Sequence, residues 1–381
     1  MGSTKRMRTK RRFTFEQSML ILKYSVAPIA CWPLPAEASA SDVRLHNIWW
    51  WFAFIHSTVS TGGWFWHVYQ NSNNFNVAMK SVTELFPISA VWIKMVICRI
   101  EASRLQKSLA EMNSFLRNAT AEEWEMVMRY YDRHFTSHST FFIASVSITL
   151  LHIIGPAVIP DQLFPGTVAY PFSVEPFWIY AIVYLSQIFT FIQAGSMLTL
   201  ALIYTTLLWF TGARFELLAI EFSNATNEDE FRRCIMKHQE LIEYFVKLKI
   251  GMAKMATVMI LIAMTTVSTG GFILIHKPPL FELGKYIICE FAAAVQVLSF
   301  AWPSDHIWQM GEKMRQSAYN CAWIGKSPRM LRDLIIVLQR TKSPPVIAVE
   351  GFCPALSLEF FGNCVAASFS YIATLRAVAG D

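Results

Sequence analysis

Seven long apolar segments alternate with polar connections along the chain, and they are its dominant pattern. A helix needs ~20 apolar residues to cross a bilayer, so each segment is predicted to be a transmembrane helix. The fourth segment is longer than a straight span requires and is predicted to tilt or to project beyond the membrane. The pattern therefore predicts an all-α membrane protein with spans at about residues 46–69, 76–98, 138–160, 177–210, 252–275, 283–307 and 355–378.

The connections carry helical patterns of their own. Residues 228–254 place Phe231, Ile235 and Phe245 at mixed three- and four-residue spacings, which is typical of an apolar stripe along a helix. Residues 311–342 show the same pattern after the sixth span. Only 16% of the residues are charged, against ~25% in an average soluble domain. The chain is therefore predicted to be an integral membrane protein with helical extensions and no separate soluble domain.

Lys and Arg residues are distributed very unevenly between two sets of connections. One set holds 27 of them and the other holds only Lys277. Because positive residues concentrate in cytosolic loops, the N-terminus is predicted to be cytosolic and the C-terminus extracellular. This orientation is the reverse of that of a G-protein-coupled receptor. The segments rich in Lys and Arg are 1–45, 99–137, 211–251 and 308–346. The segments poor in Lys and Arg are 70–75, 161–176 and 276–282.

The N-terminal arm begins with a basic stretch, residues 1–12, and continues with the half-apolar segment 18–35. A basic start, an apolar run and a small-residue site are also typical of a signal peptide. Lys23 and Pro28 interrupt the apolar run, however. We therefore interpret the segment as an interfacial helix on the cytosolic face, with signal-peptide cleavage as the alternative.

The polar residues do not form a catalytic or metal-binding set. His134 and His138 lie four residues apart, which suits metal ligands, but the other histidines are scattered singly and the seven cysteines form no CxxC pair. The sequence contains no phosphate loop and no HExxH or GxSxG motif. We therefore expect no enzymatic activity, no metal ion, no cofactor and no nucleic-acid partner.

A few charged residues lie within the predicted spans. Glu84 and Lys94 flank the core of the second span, Glu290 lies inside the sixth, and Glu359 is near the start of the seventh. Ionisable groups inside a membrane are costly, so they are candidates for functional sites. A structural role for Glu290, through a hydrogen bond to a neighbouring helix, remains the alternative.

The predicted outer halves of several spans are rich in aromatic and hydroxyl side chains, together with Met79, His152 and Gln187. An apolar cavity with a few hydroxyl groups suits a small, mostly apolar ligand. Ordinary helix packing explains each of these residues equally well, and both interpretations stay open. The candidate ligand-binding residues are Met79, Thr83, Phe86, Thr149, His152, Tyr180, Tyr184, Gln187, Phe191, Ser268 and Phe272.

The last span is unusually polar for a membrane helix. Ser357, Asn363, Ser368, Ser370 and Thr374 interrupt its apolar sequence. Such helices usually face protein or water rather than lipid, so this span is predicted to have a polar neighbour.

Residues 311–349 and 357–376 together resemble the insect odorant receptors. The shared features are a Ser-x-Tyr sequence followed by Trp, a Leu-rich helix ending in Gln-Arg, a Pro-flanked turn, and a last span that closes on Ser-Tyr. The upstream chain shares mainly the layout of seven spans and short outer loops. The residues that carry the resemblance are Ser317, Tyr319, Trp323, Leu331, Gln339, Arg340, Pro344, Pro345, Ser370 and Tyr371.

The resemblance implies a ligand-gated, non-selective cation channel in the plasma membrane of olfactory dendrites. In such receptors an odorant-binding subunit and a shared co-receptor form a heterotetramer, opened by a small volatile ligand. The co-receptor carries a large insertion in its second cytosolic loop. Residues 99–137 hold no such insertion, so this chain resembles a ligand-specific tuning subunit. A gustatory-type receptor channel, or a seven-span receptor that signals through G proteins, is the alternative.

The resemblance also implies a division of the chain into four parts. These are a cytosolic arm with an interfacial helix (1–45), six spans with the ligand pocket in the outer half (46–310), cytosolic anchor helices (311–346) and a pore helix with a short extracellular tail (347–381). The implied pore residues are Ser370, Tyr371, Thr374, Leu375 and Ala377. The implied subunit-anchor residues are Tyr319, Trp323, Leu331, Gln339 and Arg340.

Overall fold

The computed structural model describes residues 14–35, 37–159, 162–275, 278–349, 351 and 353–379, apart from the side chains of 75, 76, 274 and 375–379. The described residues form α-helices, a short 3-10 helix at Ala27–Ile29 and one isolated antiparallel bridge between Val349 and Cys353, and the all-α prediction is confirmed. The helices are α1 (Phe15–Ser25), α2 (Ala40–Gln70), α3 (Phe75–Asn118), α4 (Ala121–Val158), α5 (Phe177–Asn224), α6 (Glu228–Ile275), α7 (Leu280–Tyr319), α8 (Pro328–Arg340) and α9 (Leu358–Ala379).

Side-chain caps explain where several helices begin. Thr14, Ser39 and Thr120 each accept a hydrogen bond from the backbone N–H three residues later, and in each case the side chain at that later position bonds back to the cap. This reciprocal arrangement satisfies two of the N–H groups that a helix start leaves free. Thr120 thereby starts α4 only two residues after α3 has ended.

The central helices are much longer than a membrane requires. Helices α5 and α6 have 48 residues each. At ~1.5 Å per residue they reach ~70 Å, more than twice the ~30 Å hydrocarbon core. Within the described residues, α3 to α7 are apolar and long enough to span a membrane. The predicted helical extensions beyond the spans are therefore present.

Two predicted boundaries fall inside continuous helices. The boundary at residue 45 lies within α2, and the boundary at residue 310 lies within α7. The amphipathic stretch predicted over 311–342 is not one helix either. It breaks at residues 320–327, where Gly325 adopts a φ of +77°, a conformation that glycine tolerates far better than other residues. The break separates α8 from the bundle helix that precedes it.

Helix α5 lies at the centre of the bundle. It packs against α1, α2, α3, α4, α6 and α7, and it buries Leu200, Tyr204, Phe215 and Phe222 almost completely. Its sequence is apolar on nearly every side, as expected for a helix that is surrounded by others. Helix α1 docks on it through the Ser25 hydroxyl, which donates to the Thr199 Oγ1 at 3.0 Å.

The connection 71–74, the loop 159–176 and the link between α6 and α7 lie at one end of the bundle, which we call the outer end after its predicted orientation. The opposite end, with the short connections 119–120 and 225–227 and with α8, is the inner end. Helix α9 packs against α6 and α7. There Ile372 fits against Gly271, where an added Cβ would lie 2.6 Å from the Ile372 Cγ1.

Candidate ligand-binding site

A buried carboxylate joins four parts of the outer end. The Glu84 Oε2 accepts hydrogen bonds from the Trp64 Nε1 at 3.0 Å and from the Thr167 backbone N–H at 2.7 Å. The Glu84 Oε1 accepts from the Lys285 Nζ at 3.2 Å and lies 4.0 Å from the His152 Nε2. One side chain on α3 therefore connects α2, α7 and the loop 159–176, with α4 beside it.

Helix α5 holds the same loop from the other side. The Gln187 Oε1 accepts from the Gly166 backbone N–H at 2.9 Å, and its Nε2 donates to the Tyr170 hydroxyl at 3.1 Å. Burial raises the pKa of the Tyr170 phenol, which therefore stays protonated near neutral pH. An added Cβ at Gly166 would collide with the Trp64 ring, so the loop can approach α2 only with glycine at this position.

Two cavities lie on either side of this network. The outer one, about 490 Å³, is lined by the loop and by Lys80, Glu282 and Lys285. The inner one, about 110 Å³, lies between α3, α4, α5, α6 and α7. Glu84 lines the inner cavity, its partner Lys285 lines the outer one, and Tyr286 lines both. The ion pair thus lies between an outer vestibule and the inner cavity.

The inner cavity has an apolar wall with a few polar groups. Two of its hydroxyls are used by their own helices, because Thr83 donates to the Met79 carbonyl at 2.9 Å and Thr149 to the Ser145 carbonyl at 3.0 Å. Sites of this kind bind small, mostly apolar molecules and orient them with a few polar contacts. The apolar lining includes Ile88, Ile148, Phe191, Met197, Leu198 and Ile262, and the other polar lining residues include Lys94, Thr266 and Gln296.

Four of the eleven predicted ligand-binding residues line the inner cavity: Thr83, Thr149, His152 and Phe191. Gln187 and Tyr180 instead hold the loop, since the Tyr180 hydroxyl donates to the Leu163 carbonyl at 3.3 Å and the Tyr180 ring lies 5.7 Å from that of Tyr184. The inner cavity is not lined by the remaining four predicted residues, Met79, Phe86, Ser268 and Phe272. A ligand contact by any of these residues stays a prediction.

Helix geometry explains this division on α3. Thr83, Pro87, Ala90 and Lys94 line the cavity at spacings of four, three and four, which places them on one face of the helix. Phe86 lies off that face and is exposed. Extending this spacing inward from Thr83 would have identified Lys94 as a cavity residue. Lys285 was missed, although its charge is opposite to that of Glu84 and both lie near the outer ends of their spans.

The comparison with known proteins agrees with the fold. A family model described as the 7tm odorant receptor matches residues 74–369 of the chain. The chain belongs to the insect odorant receptor family. It is therefore a multi-pass membrane protein of a receptor family rather than an enzyme family.

Curated relatives match only part of the receptor. Odorant receptor 46a, isoform B, of Drosophila melanogaster is 26% identical over 159 residues, which is 39% of this chain and 40% of the relative. Odorant receptor Or2 of Anopheles gambiae is 25% identical over 152 residues, 39% of each chain. The matched segment thus spans about two fifths of these relatives.

Solved structures match nearly the whole receptor. The insect olfactory receptor OR5 from Machilis hrabei superposes with a TM-score of 0.82 at 10% identity, covering 94% of this chain and 98% of that one. The same receptor in complex with eugenol superposes with a TM-score of 0.80 at 11% identity, with the same coverage. At this identity the likeness shows the fold of the receptor and no individual contact.

The predicted pore residues lie on α9, and those whose side chains are described are exposed. Ser370, Tyr371 and Thr374 are exposed on α9, and the Thr374 hydroxyl donates to the Ser370 carbonyl at 2.9 Å. The side chains of Leu375 and Ala377 lie outside the described residues. A pore-lining role for all five residues stays a prediction.

The predicted anchor residues lie around the break between α7 and α8. The Trp323 Nε1 donates to the Tyr319 carbonyl at 2.8 Å, and the Tyr319 ring is exposed. Leu331 is half-buried on α8, whereas Gln339 and Arg340 are exposed near its end. Their role in subunit contacts also stays a prediction.

The remaining polar candidates show no shared site. The His134 ring stacks on Trp209 with centroids 3.3 Å apart, and the His138 Nε2 lies 3.3 Å from the Thr205 hydroxyl. No group of three or more metal-ligating side chains occurs in the described part of the chain. Glu290 packs against Gly270 on α6, and the described residues offer its carboxylate no hydrogen bond.

Proposed function

We propose that this receptor is the odorant-specific subunit of a ligand-gated, non-selective cation channel, assembled with a co-receptor in the dendritic plasma membrane of olfactory neurons. The observation that carries the proposal is the exposed face of α9. This face holds Asn363, Ser370 and Thr374 beside the aromatic Tyr371. Hydroxyl and amide groups on a membrane helix are expected to face water or protein, and a water-filled pore supplies that environment.

The hydroxyls of α9 suit contact with cations. Thr374 donates to the Ser370 carbonyl and Ser368 to the Cys364 carbonyl, so both protons are used within the helix. The hydroxyl oxygens keep lone pairs, which can accept hydrogen bonds from water or coordinate a cation. Several such helices around one axis would form a polar channel wall.

Helix α8 offers a surface for neighbouring subunits at the inner end. It buries Met330, Leu334 and Val337 against the receptor, while Ile335 and Ile336 are exposed on the other side. Exposed apolar side chains of this kind favour a protein–protein contact. The exposed isoleucines therefore support the assembly of several subunits through the anchor segment.

Helix α7 provides a mechanical connection between ligand and pore. It lines the inner cavity with Tyr286, Cys289 and Gln296, and it packs against α9. Further along α7, Gly311 packs closely against Pro345: a Cβ added to Gly311 would lie 2.6 Å from the Pro345 Cδ. A ligand that binds better when the α9 helices lie apart would shift the population toward the open channel.

Recording from cells that express the receptor with its co-receptor tests this function. We expect an odorant panel to evoke a non-selective cation current that persists when G-protein signalling is blocked. Current that needs a second messenger would instead support a G-protein-coupled receptor. A response to tastants without a co-receptor would support a gustatory-type channel.

Glycosylation mapping in microsomes tests the orientation. The acceptor sites at Asn118 and Asn224 lie at the inner end and should remain unmodified. Pro171→Asn creates an acceptor before Phe172-Ser173 in the exposed outer loop, and this site should be glycosylated. Modification at either natural site would reverse the proposed topology.

A further inference from the structure

We propose that the inner cavity binds a short acyl compound, whose oxygen accepts hydrogen bonds from Lys94 and Gln296. This inference rests on the proposed function, because it names the class of ligand that the same cavity takes. Both side chains line this cavity, Lys94 from α3 and Gln296 from α7. Both are about 3% exposed.

Neither donor has a partner within the described residues. The Gln296 Nε2 is buried without a hydrogen bond. The Lys94 Nζ forms no hydrogen bond or ion pair within the described residues, and its electrostatic neighbour is the Cys98 thiol, one turn further along α3. The carboxylate that also lines the cavity, Glu84, already accepts from Trp64, Thr167 and Lys285. The Lys285 ammonium on α7 is thus neutralised by Glu84. The Lys94 ammonium on α3 has no counter-charge among the residues that line the cavity.

Buried donors without partners are costly, and the cost is greatest for a charged group. A lysine that extended toward the membrane surface would expose its ammonium, but Lys94 is buried. The hydroxyls of Thr83 and Thr149 already donate to their own helices, so they offer no further donor to a ligand. Lys94 and Gln296 are therefore unused donors in the lining of the cavity, and an oxygen acceptor on the ligand would satisfy them.

The cavity volume sets the size of this ligand. An apolar protein cavity of ~150 Å³ holds benzene, with six carbon atoms. The volume of about 110 Å³ suits a compact molecule of similar or smaller size without movement of the walls. A ketone, an aldehyde or a carboxylate with four to six heavy atoms combines this size with the required oxygen.

Binding is measured on the full-length receptor in detergent, from the ligand-concentration dependence of its melting temperature. Cyclopentanone and methylcyclopentane have nearly the same shape and differ in the oxygen. We expect cyclopentanone to bind at least tenfold more tightly. Butanoate serves as the charged arm of the series: tighter binding than cyclopentanone identifies a carboxylate ligand, and weaker binding identifies a neutral carbonyl ligand.

The variant Lys94→Met keeps the length of the side chain and removes its charge, so the tenfold preference should fall below threefold. Lys107→Met makes the same change further along α3, outside the cavity, and should leave the preference intact. If Lys94→Met does not fold, Gln296→Leu decides, because it should lower the preference at least threefold. A wild-type receptor without the preference would overturn the inference, as would a preference that survives in every folded cavity variant.

These outcomes separate the inference from the proposed function. The melting measurement needs neither a co-receptor nor a conducting pore. A receptor that binds cyclopentanone through Lys94 but gives no current would contradict the channel proposal alone. A receptor that gives odorant-evoked current, with the same ligand preference in wild type and Lys94→Met, would contradict the inference alone.

Discussion

Lys285 on α7 donates to Glu84 on α3 at 3.2 Å, and the two side chains are only 6% and 4% exposed. The pair lies between the inner cavity and the outer vestibule, and Trp64 and the Thr167 backbone N–H also donate to the carboxylate. A ligand that enters from the vestibule must pass beside this pair. The pair is therefore important both for the stability of the outer end and for access to the cavity.

Removing one partner of this pair should destabilise the receptor. Glu84→Gln leaves the Lys285 ammonium buried without a counter-charge, which typically costs ~3–5 kcal/mol. We expect a clearly lower melting temperature of the purified receptor and less receptor at the cell surface. The double variant Glu84→Gln, Lys285→Met removes both charges and should recover much of the loss.

A second ion pair between the same helices provides the control. The Lys80 Nζ lies 2.9 Å from the Glu282 Oε2, and the Lys80 side chain is 40% exposed. Exposed pairs contribute only ~0–1 kcal/mol, so Lys80→Met should leave the melting temperature nearly unchanged. Equal effects of Lys80→Met and Glu84→Gln would show that burial does not distinguish the two pairs.

Gln187 should control the rate of ligand exchange through the loop that it holds. Gln187→Leu removes the hydrogen bonds to Gly166 and Tyr170, each worth ~1 kcal/mol. We expect the loop to open more often, so that odorant-evoked current decays several-fold faster after the odorant is removed.

Thr190→Val is the matched change about one turn later on α5, where the hydroxyl donates within its own helix to the Ser186 carbonyl at 3.0 Å. It should leave the decay rate unchanged. Unaltered decay in Gln187→Leu, with normal surface expression, would show that the loop does not limit ligand exchange.

The sequence predicted the helices well because their physical cause is local. Apolar composition and length identified the seven long helices, and periodic apolar residues identified the extensions of α6 and α7. The break at residues 320–327 was missed because the amphipathic spacing continues on both sides of it. Gly325 alone does not show whether a helix ends or only bends.

The candidate site was harder to predict because its contacts are distant in sequence. Glu84 and Lys285 are 201 residues apart, and no local pattern pairs them. Side-chain type in the outer halves of the spans identified Thr83 and Phe191, but it did not show how far the cavity lining continues into the bundle. Gln187 lies about one turn from Phe191 on α5, yet it bonds the loop, because the loop folds back over the outer end of α5.

Close packing at Gly271 should be needed to hold α9 against α6. Gly271→Ala places a Cβ 2.6 Å from the Ile372 Cγ1, so the Ile372 side chain or one of the two helices must shift. We expect altered basal current in cells that express the receptor with its co-receptor. Ile372→Ala removes the opposing atoms, and the double variant should return the basal current toward the wild-type value.

Gly62→Ala provides a control for the general effect of alanine in a helix, since a Cβ at Gly62 would meet no atom within 4 Å. This variant should be neutral or slightly stabilising, because alanine favours a helix by up to ~1 kcal/mol over glycine. Similar currents in wild type and Gly271→Ala would mean that the contact does not hold the pore helix.

Thr374 should make this subunit the more easily wetted part of a mixed pore. Its exposed hydroxyl accepts water while its proton is held by the Ser370 carbonyl. Thr374→Val keeps the shape of the side chain but replaces the hydroxyl with a methyl group, and an apolar constriction closes by expelling water. We expect a lower basal leak and a changed ion selectivity in recordings with the co-receptor.

Two variants serve as controls. Thr374→Ser retains the hydroxyl and should behave like wild type. Ser368→Ala controls for the loss of an intrahelical hydrogen bond, since Ser368 donates to the Cys364 carbonyl at 2.8 Å. If leak and selectivity in Thr374→Val equal those of wild type, Thr374 does not contribute to the gate, and the exposed polar face of α9 must serve another contact.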